Sequence, residues 1–152
     1  MSNLHRLRSI SPNVPGGWDS LRGSLAKTLD VMTREGIALA ASEAAACNYC
    51  LAAHSFVAGN MAKISPDEIA RDREGCSSDP RRQAAIPFAK ALMETHGEVS
   101  DAQFATIRET GWTDANIVET IALTAQFVLT NFMNNAVQTP IDFPDIRPAK
   151  VN

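Results

Sequence analysis

REGIALAASEAAACNYCLAAHSF, residues Arg34 to Phe56, places two of the chain's three cysteines three positions apart, adds a histidine four positions later and surrounds them with alanine. Alanine favours helix more than any other residue and lets neighbouring helices approach closely. The stretch therefore predicts two close-packed helices, one capped by Thr33 and running through Ala46, the next from about Cys47 to Asn60. With about 100° of turn per residue, Cys47, Cys50 and His54 fall within an arc of about 60° on a continuous helix. Cysteines at i and i+3 can reach disulfide geometry with modest local adjustment, and a histidine beside a cysteine near a helix N-terminus favours the thiolate. One thiolate can then attack an oxidant, pass through a sulfenic acid and be resolved by the second thiol. Two other readings stand beside this one. Cys47, Cys50 and His54 with Cys76 or His96 could supply soft metal ligands, although zinc knuckles sit in Gly-rich turns rather than in helix-forming alanine. The two thiols could also be small buried packing groups.

Working outward, helix signals recur and strand signals do not: there is no period-two alternation and no Asn-Gly or Asp-Gly hairpin turn. Leu21, Leu25 and Leu29 make one apolar face over residues 21–30. Ser65 as N-cap with Pro66 at the first helical position starts a short helix, with acidic residues in its first turn. Asp79-Pro80 opens a helix to about His96, Ser100 and Gln103 form a capping box for one that stops at Gly111, and Thr113 caps a long helix to about Gln138. The prolines of TPIDFPDIRPAKVN end it. The expectation is an all-α, single-domain bundle of six or seven helices. Residues 1–17 read as a flexible lead-in, 18–146 as the helical domain and 147–152 as a tail.

Bulk properties narrow the function. A formal charge of -3 and no basic run longer than Arg81-Arg82 leave no electrostatic footprint for a nucleic-acid binder. IVETIALTAQFVLTNFMNNAV is apolar but interrupted by Glu119, Gln126, Asn131, Asn134 and Asn135, so it reads as a buried helix rather than a membrane span. With no apolar stretch of signal-peptide length near the N-terminus, the protein is expected in the cytoplasm, where a close cysteine pair is redox-active or metal-binding more often than structural.

Glu35 stands twelve residues before Cys47, which completes the pattern Glu-x11-Cys-x2-Cys-x3-His. This pattern, with TREGIALAASEAAACNYCLAAH, DPRRQAAIPFAKAL and the long stretch from Val99 to Pro144, resembles the alkylhydroperoxidase D-like (AhpD-like) proteins of the carboxymuconolactone decarboxylase superfamily, over roughly Leu25 to Asp145. The resemblance implies Cys50 as the peroxidatic nucleophile, Cys47 as the resolving thiol that closes a disulfide, His54 in a proton relay and Glu35 as its anchor. It implies reduction of a hydroperoxide, re-reduction by a dithiol donor such as a lipoyl group on an adaptor, a homo-oligomer (trimer or hexamer) and no resident cofactor or metal. The physics agrees, because an attacking thiol must lose its proton near neutral pH and an imidazole backed by a carboxylate is a suitable acceptor. One departure stands at Asn135, where many relatives carry a histidine; an amide cannot titrate there. The redox pair argues against decarboxylation of γ-carboxymuconolactone, whose true decarboxylases generally lack it.

Other residues carry plainer readings. Glu43 is expected as a solvated or interface carboxylate, Cys76 as an exposed bystander, His96 as a helix C-terminal residue, and Tyr49 as a packing residue turned away from the cysteines. Phe127, Phe132 and Met133 read as core or interface. The last long helix, apolar around much of its circumference, is expected in a subunit contact that charges at Phe127 or Val128 would break.

Overall fold

The computed structural model describes residues 1–27, 29–144 and 146. Among the described residues there are eight α-helices and no strand: α1 (Asn3–Arg8), α2 (Asn13–Leu25), α3 (Val31–Ala44), α4 (Asn48–Asn60), α5 (Pro66–Glu74), α6 (Arg82–Glu94), α7 (Asp101–Glu109) and α8 (Asp114–Val137). The all-α class is as expected. The count exceeds six or seven because α1 and the start of α2 lie within residues 1–17, the stretch read as a flexible lead-in. The expected tail, 147–152, lies outside the described residues. No described helix is long and apolar enough to cross a membrane.

Trp18 accounts for the extra order at the N-terminal end. Its ring is buried, its Nε1 donates to Thr130 Oγ1 of α8 at 2.8 Å, and the Arg8 guanidinium lies 3.9 Å from the ring centroid. A buried indole with its N–H satisfied and a cation over its face anchors α1 and α2 to α8. The apolar repeat of Leu21, Leu25 and Leu29 is consequently split: α2 ends at Leu25, Leu29 is buried beyond it and Leu21 is exposed.

At the centre lies α3, packed against α4, α5, α6 and α8. Every residue from Gly36 to Ser42 is buried, as expected of a helix apolar around its whole circumference. Its N-cap is Asp30 rather than Thr33: the Asp30 carboxylate accepts from the Thr33 N–H at 3.0 Å and the Thr33 hydroxyl at 2.6 Å. Aspartate is the stronger cap, and Thr33 occupies the third helical position beneath it.

Helices α5 and α6 are tied together against α3 by buried charge. Arg82 donates to both Asp72 oxygens at 2.7 and 2.5 Å and to Glu68 Oε1 at 3.3 Å. Burial pushes the Asp72 carboxyl up to about 7 against the pull of Arg82. Burial acts on Glu68 in the same sense, but hydrogen bonds from Ser77 and Ser78, together with the Arg82 charge, outweigh it and hold Glu68 below its ordinary value. Gly36 makes room for this cluster, since a Cβ there would stand 2.6 Å from Ile86 Cδ1 and 3.0 Å from the Arg82 guanidinium.

Local cap chemistry sets the starts of α5, α7 and α8. Ser65 accepts from the Glu68 N–H, with Pro66 in the first turn, and full capping boxes close α7 (Ser100 with Gln103) and α8 (Thr113 with Asn116).

Candidate functional site

The site begins at the turn between α3 and α4. Ala46 adopts φ 49°, and the Cys47 N–H reaches back to the Ser42 carbonyl at 2.9 Å, which closes α3 in a left-handed turn. Cys47 is then extended, at φ -90° and ψ 95°, and serves as the N-cap of α4, its Sγ accepting from the Cys50 N–H at 3.3 Å. The expectation that Cys47, Cys50 and His54 share one continuous helical face is thereby corrected. Cys47 meets Cys50 as a cap, with the two Cα atoms 5.3 Å apart and a disulfide joining them. Cys50, at the third position of α4, sits where the partial positive charge of a helix N-terminus favours a thiolate.

His54 follows Cys50 by four residues, on the same face of α4. Glu35 comes from α3, and its Oε2 lies 2.8 Å from His54 Nδ1. An ionised carboxylate can only accept, so this contact places the imidazole proton on Nδ1 and leaves Nε2 as the nitrogen open to exchange. The two side chains keep 22% and 14% of their exposure. The Phe127 ring stands edge-on to the imidazole, centroids 5.3 Å apart. The structure thus brings Glu35 to His54 and Cys47 to Cys50 and carries His54 and Cys50 on one helical face.

The cysteines themselves are buried, Cys47 at 0% and Cys50 at 2% exposure. They pack with Tyr49, Leu4, Ile141 and Phe143. A clasp between the two ends of the described chain holds this cover. The Asn3 N–H donates to Asp142 at 2.8 Å, Asn3 Nδ2 to the Pro140 carbonyl at 2.9 Å and the Leu4 N–H to the Tyr49 hydroxyl at 3.1 Å. Tyr49, expected to turn away from the cysteines, is in the same cluster, where burial raises its hydroxyl above the ordinary value.

Three asparagines of α8 line the other side. Asn131 Nδ2 donates to the Ala41 carbonyl at 3.3 Å, Asn135 Nδ2 to the Ala45 carbonyl at 2.9 Å, and Asn134 Nδ2 to Cys50 Sγ at 3.3 Å. Asn135, singled out from the sequence, holds the end of α3, whereas Asn134, which the sequence reading passed over, touches a cysteine sulfur. The available signal was the placement of Asn131 and Asn134 at helical spacing from Phe127, on the buried face of α8.

The other expectations resolve individually. Glu43 pairs with Arg73 at 2.9 Å. Cys76 is partly buried, its thiol 3.4 Å from the Arg71 carbonyl. Among the described residues no three His, Cys, Asp or Glu side chains are grouped to hold a metal ion. Phe127 is buried within its own chain while Phe132 is 65% exposed. A charge at Phe127 would therefore strike the core rather than a subunit contact.

A disulfide at a helix N-terminus beside a carboxylate–imidazole pair, in an all-helical domain, defines an AhpD-like scaffold, and comparison with known proteins agrees. The model of the carboxymuconolactone decarboxylase family matches residues 12–91, just over half of the chain. No curated protein sequence matches. Among solved structures, the alkylhydroperoxidase AhpD core of Ralstonia eutropha JMP134, described as an uncharacterised peroxidase-related protein, is 26% identical, with a TM-score of 0.81 over 92% of this chain and 76% of that one. A peroxidase-related protein of Silicibacter sp. TM1040 shares the fold at 20% identity, with a TM-score of 0.77 over 88% and 72% of the two chains. The debrominase Bmp8 does so at 19% identity and a TM-score of 0.78 over 92% and 76%. The chain belongs to the carboxymuconolactone decarboxylase family and is AhpD-like within it.

Proposed function

We propose that the protein is a thiol-dependent hydroperoxide reductase in which Cys50 is the nucleophile, Cys47 the resolving thiol and Glu35–His54 the proton relay. The observation that carries this reading is the 2.8 Å Glu35–His54 hydrogen bond, set one helical turn beyond Cys50 of the dithiol. The Cys50 thiolate attacks one peroxide oxygen and breaks the O–O bond. The alcohol leaves with a proton, and Cys50 becomes a sulfenic acid. Cys47 then attacks the Cys50 sulfur, the S–S bond forms and the sulfenic oxygen departs as water. A dithiol donor, such as a lipoyl group on an adaptor protein, returns the two electrons and becomes a disulfide itself. Per cycle, one hydroperoxide and one dithiol yield one alcohol, one water and one disulfide. His54 takes the thiol proton and returns it to the leaving alkoxide, and Glu35 holds the ring in the required tautomer.

The apolar outer side of α8, with Val118, Ile121, Leu129 and Phe132 exposed, supports assembly into a homo-oligomer, a trimer or hexamer. Phe132→Asp is expected to lower the mass in solution, measured by light scattering; an unchanged mass would remove α8 from the contact.

The deciding experiment is differential alkylation with mass spectrometry on the reduced protein before and after one equivalent of an organic hydroperoxide, followed by turnover with dihydrolipoamide. The expected result is loss of the Cys47 and Cys50 thiols with Cys76 still alkylatable, then repeated turnover that Cys50→Ser abolishes. A chain that oxidises once and stalls is a redox-responsive module, and thiols that stay alkylatable refute the peroxidase reading. Activity on a carboxymuconolactone-type substrate that survives loss of both cysteines would identify a decarboxylase. A Cys-to-Ala variant of Bmp8 has been solved with 2,3,4-tribromopyrrole, so a brominated pyrrole assayed in parallel tests a second electrophile on the same dithiol.

A further inference from the structure

Asn134 is 2% exposed, on the inner face of α8, and reaches Cys50 across 84 positions of sequence. Its Nδ2 carries two contacts, to Cys50 Sγ at 3.3 Å and to the Thr130 carbonyl at 3.1 Å. The second contact decides the orientation of the amide. A carbonyl oxygen can only accept, so the nitrogen must face Thr130, and the same NH2 group then presents its other proton to the sulfur. The Asn134 Oδ1 is buried with no partner within the chain. A buried amide with an orphan acceptor is a poor packing group, and a leucine of similar volume would avoid that penalty. The amide is explained by what its nitrogen does to the sulfur.

A disulfide sulfur is a weak acceptor, whereas a thiolate is a charged one and draws a much stronger hydrogen bond from the same N–H. The contact therefore gains most when Cys50 is reduced and ionised. We propose that Asn134 is a catalytic residue that stabilises the Cys50 thiolate by direct donation from Nδ2, jointly with the N-terminus of α4. It has no proton to exchange near neutral pH, so it lowers the cost of ionising Cys50 while the proton itself passes to His54. The proposal rests on Cys50 as the nucleophile, but it concerns the ionisation of a thiol and is measured without any peroxide.

The test is the pH dependence of Cys50 alkylation by iodoacetamide in the fully reduced chain, mapped by mass spectrometry, for the wild type, Asn134→Leu and Asn134→Ala. Asn135→Ala, whose amide bonds the Ala45 carbonyl instead, is the control. The expected result is a Cys50 midpoint raised by about one to two pH units in both Asn134 variants, with Asn135→Ala at the wild-type value. Thermal unfolding of Asn134→Leu is expected to stay close to wild type, which separates thiolate stabilisation from a packing role. Should the leucine variant fail to fold, the alanine variant gives the same readout. A midpoint within about 0.3 units of wild type in a folded variant would overturn the proposal. A raised midpoint in a protein that turns over no hydroperoxide would uphold it and refute the peroxidase reading alone.

Discussion

Two polar clusters lie on either side of α3, and consecutive residues face them: Gly36 abuts Arg82 and Asp72, while Glu35 meets His54. In the first, Asp72 has no exposure and Arg82 keeps 5%, and Arg82 is gripped by two carboxylates while serines complete Glu68. In the second, His54 keeps 22% of its exposure and has one ring nitrogen outside the Glu35 bond. Each cluster holds a buried polar atom without a partner within the chain, Arg82 Nε in the first and Asn134 Oδ1 beside the second. Both clusters contain a carboxylate and a basic group. The sealed one holds α5 and α6 in place, because its charges have nowhere else to go. The open one keeps the contact with solvent, at His54 and Glu35, that passing a proton onward demands.

Exchanging the clusters' roles by mutation would break this contrast. The largest effect is expected from Glu35→Gln, which should lower dithiol-dependent hydroperoxide turnover by about 10²–10⁴-fold while leaving the unfolding midpoint almost unchanged. Normal turnover in that variant would detach Glu35 from the chemistry. Arg82→Ala should do the reverse: removing one partner of a buried pair costs about 3–5 kcal/mol, read as a Tm drop of roughly 6–20 °C for a domain of this size. Turnover per folded molecule should be retained, and a stable but inactive variant would move Arg82 into the catalytic machinery. Smallest is Gly36→Ala, whose Cβ would crowd Ile86 and Arg82. An overpacking cost of about 1–3 kcal/mol in denaturant unfolding is expected, and a neutral result would mean that the sealed cluster yields more easily than its contacts imply.

How much of this was legible in the sequence follows from the range of the interactions. The starts of α5, α7 and α8 were readable because Ser65-Pro66, Ser100 with Gln103, and Thr113 act within one turn of themselves. The start of α3 was misplaced by three residues because Asp30 caps the helix one turn earlier, taking the N–H and hydroxyl of Thr33 itself. Order in the N-terminal helices was missed because Trp18 is held by Thr130, 112 positions away. At the site, spacing brought Cys47, Cys50 and His54 into one hypothesis, and the family resemblance added Glu35. Spacing could not reveal that Cys47 is a cap rather than a helical residue. Asn134 was opaque for a further reason, since one asparagine among several polar residues of α8 acquires meaning only from the atom its amide meets.

The clasp over the dithiol also has a consequence for biosynthesis. Asn3 and Asp142 are 139 positions apart, so the cover cannot close while the chain is still being made. Translation proceeds at about 5–20 residues per second, and Cys47 and Cys50 are therefore synthesised several seconds before Ile141 and Phe143 exist to shield them. During that interval the local turn around Ala46 can form, but the thiols remain open to whatever oxidants and reductants surround the ribosome. The redox state in which the site is first sealed is thus set by the surroundings of the nascent chain as well as by its own geometry.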